Sequence, residues 1–318
     1  MRTRSKAAVL AAVVGLAGLG ATACSQVETL KARMAFKDAN AAYQSQDYRV
    51  AAEKYQQALE HKPDLAVAYF YLANSYDNLY RPTRKGEPEN DRYLQLAVEN
   101  YKKATETIED PDLRTLSYEY LLATYGADKL NDPSQAEPIV RKMIEMDPGE
   151  PSNYFGLAKI YEDAGNYEEA EAALIQARDA APKNTDVYMQ LAGFYNRQGE
   201  FDKTIDALRQ RAAQEPDNPE VHYTIATYFW DKTFRDHRLR DPAKREYIQQ
   251  GLEAVDKALA IKDDYTEAIV YKGLLLRLQA NLEKDRAKQL ALIKEADALR
   301  DKATALRKRQ SAGAGATE

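Results

Sequence analysis

The sequence has few of the residues from which catalytic and metal sites are usually built. Its 318 residues include one cysteine and only three histidines, His61, His222 and His237, which are widely separated. None of them has a second His or Cys at metal-ligand spacing, and no glycine-rich phosphate loop or nucleophile elbow is present. The remaining enzymatic alternative is a pocket formed by residues that no motif reveals. We therefore predict a non-enzymatic protein with no catalytic residues, no metal and no cofactor.

The chain also lacks an excess of positive charge. It has 45 Lys and Arg residues against 50 Asp and Glu residues. Binding to nucleic acid depends on neutralising phosphates with basic side chains. An acidic chain of this composition is therefore not expected to have a nucleic-acid partner.

The N-terminus accounts for the single cysteine. Arg2, Arg4 and Lys6 precede an uncharged run over residues 7–23, and Cys24 follows at once. A charged segment, an apolar segment and small residues before a cleavage point are typical of a secretory signal, which we predict over residues 1–23. The alternative is an uncleaved membrane helix, although this run is short and only weakly apolar for that purpose.

The residues "ATAC" at positions 21–24 resemble a bacterial lipobox. In that family the cysteine is acylated and becomes the mature N-terminus, so the resemblance implies lipidation of Cys24 and a linker over residues 24–31. Ser25 stands where many family members retained at the inner membrane carry Asp, which implies the periplasmic face of the outer membrane. The alternative, a free thiol at Cys24, is disfavoured outside the reducing cytosol.

The rest of the chain repeats with a period of about 34 residues. Small and large apolar residues over positions 153–182 resemble the tetratricopeptide repeat, a unit of two antiparallel helices, A and B. The matching residues are Tyr154, Leu157, Ala158, Tyr161, Ala170, Leu174, Ala177 and Pro182. Small residues such as Ala158 and Ala170 allow the two helices to approach closely. The next repeat departs from the pattern at Thr204 and Arg211, where Ala is usual, and looser packing is expected there.

The same pattern predicts seven helix pairs over residues 32–281. One pair cannot bury its apolar face alone, so successive pairs must stack. The resemblance implies an all-α fold, a tetratricopeptide-like α-solenoid with a right-handed superhelix. An amphipathic helix over residues 282–310 is expected to cap its open end, the alternative being a coiled-coil partner. Residues 311–318 are predicted to be disordered.

In this family the fifth position of helix A lines the concave groove, and here each repeat has an apolar or aromatic residue at that position. The residues are Phe36, Phe70, Tyr120, Phe155, Met189, Tyr223 and Val270. The functional interpretation is a hydrophobic ladder that receives a peptide. The alternative is core packing between adjacent A helices. Some family members clamp acidic C-terminal peptides with Lys at position five and Asn at position nine, but Phe70 precedes Asn74 here, so that ligand class is disfavoured.

Two insertions, over residues 80–91 and 231–245, interrupt the period. We predict that both lengthen the turn between helices A and B and emerge from one edge, which is often a binding side. Trp230, the only tryptophan, precedes the second insertion. The basic residues proposed to contact a partner are Arg81, Arg84, Lys85, Arg235, Arg238 and Arg240. The alternative is a pair of solvated loops whose charges pair internally.

The sequence therefore predicts a lipid-anchored scaffold of the cell envelope that binds a protein or peptide. It resembles the outer-membrane lipoproteins of this repeat class, which assist barrel assembly, secretin assembly or cell-wall synthesis. The alternative function is capture of glycan or peptide nutrients, with Trp230 and the groove tyrosines stacking on sugar.

Overall fold

The computed structural model describes the backbone of residues 7–314 and the side chains of residues 25–309 and 311. The side chain of Cys24, the predicted lipidation site, lies outside the described residues, as do residues 1–6 of the predicted signal peptide. Within these limits the chain forms fourteen α-helices and no β-strand. The helices are Ala7–Gln44 (α1), Tyr48–His61 (α2), Ala66–Leu79 (α3), Pro88–Thr107 (α4), Pro111–Tyr125 (α5), Pro133–Met146 (α6), Pro151–Asp163 (α7), Tyr167–Ala180 (α8), Thr185–Gln198 (α9), Phe201–Gln214 (α10), Pro219–Arg235 (α11), Asp241–Ile261 (α12), Thr266–Leu282 (α13) and Arg286–Ala314 (α14).

The ends of these helices are encoded locally. Asp47 and Asp110 are N-caps, and their carboxylates accept hydrogen bonds from the backbone N–H groups of Val50 and Leu113 at 3.3 and 2.9 Å. A side-chain acceptor there satisfies one of the N–H groups that the first helical turn leaves without a partner. Gly199 ends α9 in the left-handed region, with φ of 78°. Only glycine adopts that conformation at little steric cost, so a short turn can follow.

The helices divide into two compact units, each of which is stacked in sequence order. The first unit extends to Pro148 and includes Lys159–Asn166, and the second contains Gly149–Ala158 and the chain from Tyr167 onward. Helices α1 to α6 pack successively in the first unit, and α8 to α14 do so in the second. The predicted all-α, tetratricopeptide-like stacking of helix pairs is therefore confirmed within each unit.

Small residues lie where helices meet, as the sequence predicts. Ala170 and Ala177 of α8 have no exposed surface, and Ala158 of α7 is 4% exposed. Thr204, which replaces the usual Ala in α10, is also buried, and its hydroxyl donates to the carbonyl oxygen of Glu200 at 3.0 Å. A buried hydroxyl is costly unless it forms a hydrogen bond, and this local bond removes that cost.

Both ends of the predicted repeat region need correction. Residues 24–31, expected to be a linker, belong to α1, because no Gly or Pro interrupts residues 25–44 and the helix buries Ala32 and Ala39. The terminal helix, predicted over 282–310, is α14, which packs on α13 as the second helix of the seventh pair. Residues 311–314, predicted to be disordered, are helical, and residues 315–318 lie outside the described residues.

The second insertion is mostly helical and not the long loop that was predicted. Residues 231–235 extend α11, residues 241–245 begin α12, and only five residues lie between these helices. Two ion pairs support the extension, and in each the partners are four residues apart. Arg235 lies 2.5 Å from Asp231, and Lys232 lies 3.0 Å from Asp236. Pairs at this spacing stabilise a helix, and Pro242 is suited to the first turn of the next helix.

The first insertion is also shorter than predicted, because α4 begins at Pro88.

Among the helices of the described chain, none is both long and apolar enough to cross a membrane.

Candidate partner-binding surfaces

Aromatic rings form a continuous series across α1, α2, α3 and α5 in the first unit. Phe36 contacts Tyr55 with 5.6 Å between ring centroids, and Tyr55 stacks on Tyr71 at 5.8 Å. Tyr71 contacts Phe70 at 5.2 Å, and Phe70 contacts Tyr120 at 5.6 Å. The predicted ladder residues Phe36, Phe70 and Tyr120 are therefore linked, partly through Tyr55 and Tyr71, which were not among the predicted site residues.

Exposure distinguishes the members of this series. Phe70 is 4% exposed and belongs to the core between α3 and α6, whereas Tyr120 is 37% exposed. Phe36 is partly buried and packs against Tyr55 and its neighbours. Phe70 thus packs in the core, as in the alternative interpretation of the ladder. Tyr120 is the ring in this series that is exposed to a partner. A partner-binding role for these residues remains a prediction.

Asn74 lies beside this series and is already occupied by its own chain. It is 3% exposed, and its Oδ1 accepts from the hydroxyl of Tyr43 at 2.5 Å and from Nδ2 of Asn78 at 2.8 Å. Burial raises the pKa of Tyr43 to about 12, so this hydroxyl remains a donor at neutral pH. An asparagine held in this way is poorly placed to clamp a peptide carboxylate.

The second unit carries an aromatic surface on α11 and α13. Trp230 stacks on Phe234 at 5.0 Å and meets Tyr271 edge to face at 5.5 Å. Tyr271 contacts Tyr223 at 5.4 Å, and Tyr223 contacts Tyr265 at 5.2 Å. Phe234 is 55% exposed, and the other four rings are partly buried. We call these five residues the aromatic surface.

Helical spacing places these rings together. Tyr223, Trp230 and Phe234 follow one another at intervals of seven and four residues, so all three lie on one face of α11. Tyr271 comes from α13, which packs beside α11. Tyr223 and Trp230 were predicted site residues, but Phe234 was not, because it lies in the segment that was predicted to be a loop. Continuing the helical spacing past Trp230 could have found it.

The other ladder residues of this unit lie on separate helices. Phe155 on α7, Met189 on α9 and Val270 on α13 are all partly buried. Their contact with a partner remains a prediction.

Several of the basic residues next to the aromatic surface are paired. Arg235 lies 2.5 Å from Asp231, and Arg238 lies 3.2 Å from Asp236. Hydrogen bonds from Lys232 and then from Arg238 hold the pKa of Asp236 well below its usual range. Arg235 and Arg238 therefore pair with carboxylates of their own insertion, as in the alternative prediction of solvated loops with internal charge pairs. Arg240 is exposed, and the ion pairs of the described chain do not include it.

Asn90 holds the first insertion against α4. It is 3% exposed; its Oδ1 accepts from the backbone N–H of Arg81 at 2.8 Å, and its Nδ2 donates to the carbonyl oxygens of Arg81 and Arg84 at 3.1 Å each. The Arg84 guanidinium pairs with Glu87 at 2.5 Å. The insertion is thus an ordered loop with three exposed cations, of which Arg81 and Lys85 form no ion pair with the described residues.

The described side chains contain no group of three or more His, Cys, Asp and Glu residues that could hold a metal ion. His222 is partly buried, and its Nε2 lies 3.3 Å from the carbonyl oxygen of Pro216. His61 pairs with Glu28 at 2.6 Å between α2 and α1. Glu168 and Glu169, a pair of neighbouring carboxylates, are exposed residues of α8.

Comparison with known proteins agrees with this architecture. Models of the tetratricopeptide repeat match residues 129–188 and 163–227, and a second model of the same repeat matches residues 36–88. The chain therefore contains tetratricopeptide repeats in both units. No curated protein matches the sequence.

Solved structures of repeat proteins are similar in fold. The C-terminal part of a TPR repeat-containing protein from Cytophaga hutchinsonii is 15% identical, with a TM-score of 0.53; the match covers 85% of this chain and 98% of that one. A tetratricopeptide repeat protein from Parabacteroides merdae is 12% identical, with 84% and 99% coverage and a TM-score of 0.44. YrrB, described as a TPR protein with an unusual peptide-binding site, is 18% identical, with 74% and 88% coverage and a TM-score of 0.36. At these identities the likeness concerns the fold alone.

The chain thus contains tetratricopeptide repeats, and in each unit its helices have a tetratricopeptide-like α-solenoid fold, which is a protein-interaction scaffold fold. Proteins of this class bind protein or peptide partners and are generally non-catalytic.

Proposed function

We propose that this chain is a lipid-anchored scaffold of the bacterial cell envelope, which binds a protein partner through the aromatic surface on α11 and α13. The repeats supply a fold used for protein interaction, and the lipobox-like "ATAC" sequence supports the anchor. Ser25 after the cysteine favours the periplasmic face of the outer membrane. Catalysis has no part in this proposal.

The observation that carries the proposal is the exposed ring of Phe234 stacked on Trp230. A large apolar ring that is 55% exposed gains the free energy of full burial only when another molecule covers it. Tryptophan and tyrosine are enriched at the energetic centres of protein interfaces, and Trp230, Tyr271 and Tyr223 extend the apolar area beyond Phe234. The partly buried rings are held by neighbouring rings, so little rotamer entropy is lost on binding.

Each insertion has exposed cations, which we consider separately for each unit. In the second unit Arg240 lies six residues after Phe234, and in the first unit Arg81 and Lys85 are exposed in the loop before α4. Because exposed charges mainly affect association rates and selectivity, these residues favour an acidic partner and add little to its affinity. The paired residues Arg84, Arg235 and Arg238 contribute less, because each already has a carboxylate partner.

Crosslinking in intact envelopes tests the scaffold. The native protein, Phe234→Ser and Leu290→Ser are each crosslinked in cells, isolated and analysed by mass spectrometry. Leu290 is the matched control, since it is 50% exposed but lies on α14. A partner present with the native protein and Leu290→Ser, but lost with Phe234→Ser, is the expected result. An identical partner set for all three proteins would contradict the proposal.

The anchor is tested separately by the mass of the N-terminal peptide. Acyl groups on Cys24 and release of Cys24→Ala from membranes are expected. An unmodified cysteine would reject the anchor without affecting the partner-binding surface.

Glycan binding is the second candidate, and the Trp230–Phe234 stack is the observation that favours it, because flat exposed aromatic rings also pack against sugars. Trp230 is the only tryptophan, so its fluorescence reports on this surface alone. A saturable change in emission with an envelope glycan, abolished by Phe234→Ser, would favour this second function over the scaffold.

A further inference from the structure

Helix α1 exposes three large apolar side chains on the face opposite its core contacts. Val27, Leu30 and Met34 are 51%, 59% and 60% exposed, whereas Ala32 and Ala39 of the same helix are fully buried. Intervals of three and four residues place the three exposed side chains in one line along the helix. We call them the α1 stripe.

Basic residues border the α1 stripe. Lys31, Arg33 and Lys37 are exposed, and of these Lys31 pairs with Glu28 at 2.9 Å. Asp38, one turn after Met34, is exposed as well, so basic residues outnumber acidic ones along this segment. The chain as a whole is acidic, with a formal charge of −5. An exposed apolar line with Lys and Arg at its edges is typical of helices that lie in a membrane interface.

The position of the α1 stripe also points to lipid. Val27 is three residues after Cys24 and Met34 is ten, so at the helical rise the stripe extends from about 5 to about 15 Å beyond that cysteine. Acyl chains on Cys24 would hold this segment at the bilayer surface. The stripe would then enter the boundary between headgroups and acyl chains as soon as α1 lies flat.

We propose that the α1 stripe inserts into the membrane interface and that Lys31, Arg33 and Lys37 contact anionic headgroups. The proposal rests on the lipid anchor of the proposed function. Its consequence is an orientation: α1 lies along the membrane surface and does not stand away from it.

A second copy of the chain is a less suitable occupant. Stable protein interfaces bury about 800 Å² on each partner, and three side chains supply only part of that area. Contact between two α1 stripes would also bring their basic edges together, and like charges oppose such pairing.

The test uses the full chain purified from membranes and reconstituted in vesicles of phosphatidylethanolamine and phosphatidylglycerol. Leu30→Cys and Leu290→Cys each carry one polarity-sensitive fluorophore, and the unsubstituted chain gives the background from Cys24. The two positions have the same residue type and similar exposure, 59% and 50%, on different helices. Brominated lipids then report which label reaches the acyl chains.

Because interfacial helices bury their apolar face at the boundary between headgroups and acyl chains, the label at position 30 should be quenched strongly, and the label at position 290 should be quenched little. A triple variant, Lys31→Glu, Arg33→Glu and Lys37→Glu, should show less quenching at position 30 than the protein without these three changes. This difference should grow as the fraction of anionic lipid rises. The effect of the variant should weaken in high salt, because salt screens exposed charges.

The outcomes separate the α1 stripe from the anchor. Equal, weak quenching at both positions in a chain whose Cys24 is acylated by mass would overturn the stripe proposal and leave the anchor intact. Quenching at position 30 with Cys24 unmodified would support the stripe and reject the anchor. Disulfide-linked dimers of unlabelled Leu30→Cys after mild oxidation, together with no lipid quenching of the labelled protein, would show that a second copy occupies the stripe and would overturn the proposal.

Discussion

The indole ring of Trp230 lies almost parallel to the ring of Phe234, with 5.0 Å between centroids and an interplanar angle of 9°. Phe234 is the more exposed of the two and covers part of the indole. Removing that ring should therefore expose Trp230 to water without disturbing the core.

Phe234→Ser is predicted to shift the tryptophan emission to longer wavelength while leaving stability within about 0.5 kcal/mol of the native protein. Leu290→Ser should leave the emission unchanged. The measurement is fluorescence together with denaturant unfolding. A loss of several kcal/mol for Phe234→Ser would show that this ring belongs to the core, and the proposed binding surface would then be wrong.

Gly251 marks a close approach between α12 and its neighbours. A Cβ atom there would lie 3.0 Å from Cδ2 of Leu275 and 3.2 Å from Cβ of Phe229. Gly251→Ala should therefore destabilise the protein by about 1–3 kcal/mol, as overpacking does. The comparison is Gly193→Ala in α9, where the added Cβ meets only the guanidinium of Arg197 at 3.3 Å. Because Ala is favoured over Gly within a helix, Gly193→Ala should be neutral or stabilising by up to about 1 kcal/mol. Equal unfolding midpoints for the two variants would contradict the close packing.

Ala170 and Ala172 lie two residues apart on α8 but face different surroundings. Ala170 has no exposed surface, and Ala172 is exposed. Ala170→Leu should force α8 away from its neighbour and cost about 1–3 kcal/mol, whereas Ala172→Leu should change stability by less than about 0.5 kcal/mol. Urea unfolding measures both. If Ala170→Leu were as stable as Ala172→Leu, the close helix crossing inferred from the repeat pattern would not exist.

Alkaline pH should weaken both units through their buried tyrosines. Burial raises the pKa of Tyr43 and of Tyr223 to about 12, above the ordinary value of about 10. A raised pKa means that the folded protein favours the protonated hydroxyl. The resulting stability is fully present below about pH 10 and is lost as the pH rises toward about 12.

The check on this pH effect is the urea midpoint measured at several pH values between about 9 and 12. The midpoint should fall across that range, and it should fall less in the double variant Tyr43→Phe and Tyr223→Phe. Tyrosinate absorbance should show two fewer late-titrating groups in that variant. A midpoint that is constant up to pH 12 would contradict the burial of these hydroxyls.

The repeat pattern made the helix pairs predictable, because each pair must bury the same small residues. Ala158, Ala170 and Ala177 were predicted from their resemblance to signature positions of the tetratricopeptide repeat, and all three are buried. Gly165, in the turn between α7 and α8, has a positive φ of 78°, a backbone conformation that favours glycine. These features depend on contacts between neighbouring helices, which a period in the sequence encodes directly.

The ends of helices at the insertions were not predictable from the repeat period. Residues 231–235 were read as loop because they break the repeat, yet their charges lie four apart and form pairs along α11. That error hid Phe234. In the first insertion, the role of Asn90 depends on the carbonyl positions of Arg81 and Arg84, which no spacing rule specifies.

The aromatic ladder shows the same limit. Position five supplies an apolar residue in each repeat, but Phe70 is core and Tyr120 is exposed. Tyr101 of α4 contacts both rings, at 6.0 and 5.9 Å, but only Phe70 belongs to the buried core cluster formed by α3 to α6. Sequence position identified the rings, and three-dimensional packing determined which of them a partner could reach.

Site-specific photo-crosslinking in living cells tests the central claim most directly. A photoreactive amino acid at position 234 should crosslink to one envelope protein. The same group at position 290 should not crosslink to that protein, and Tyr271→Ser should weaken the crosslink at position 234. Equal crosslinking from both positions, or none from position 234 in a folded and membrane-bound chain, would contradict the account of the aromatic surface as the partner-binding site.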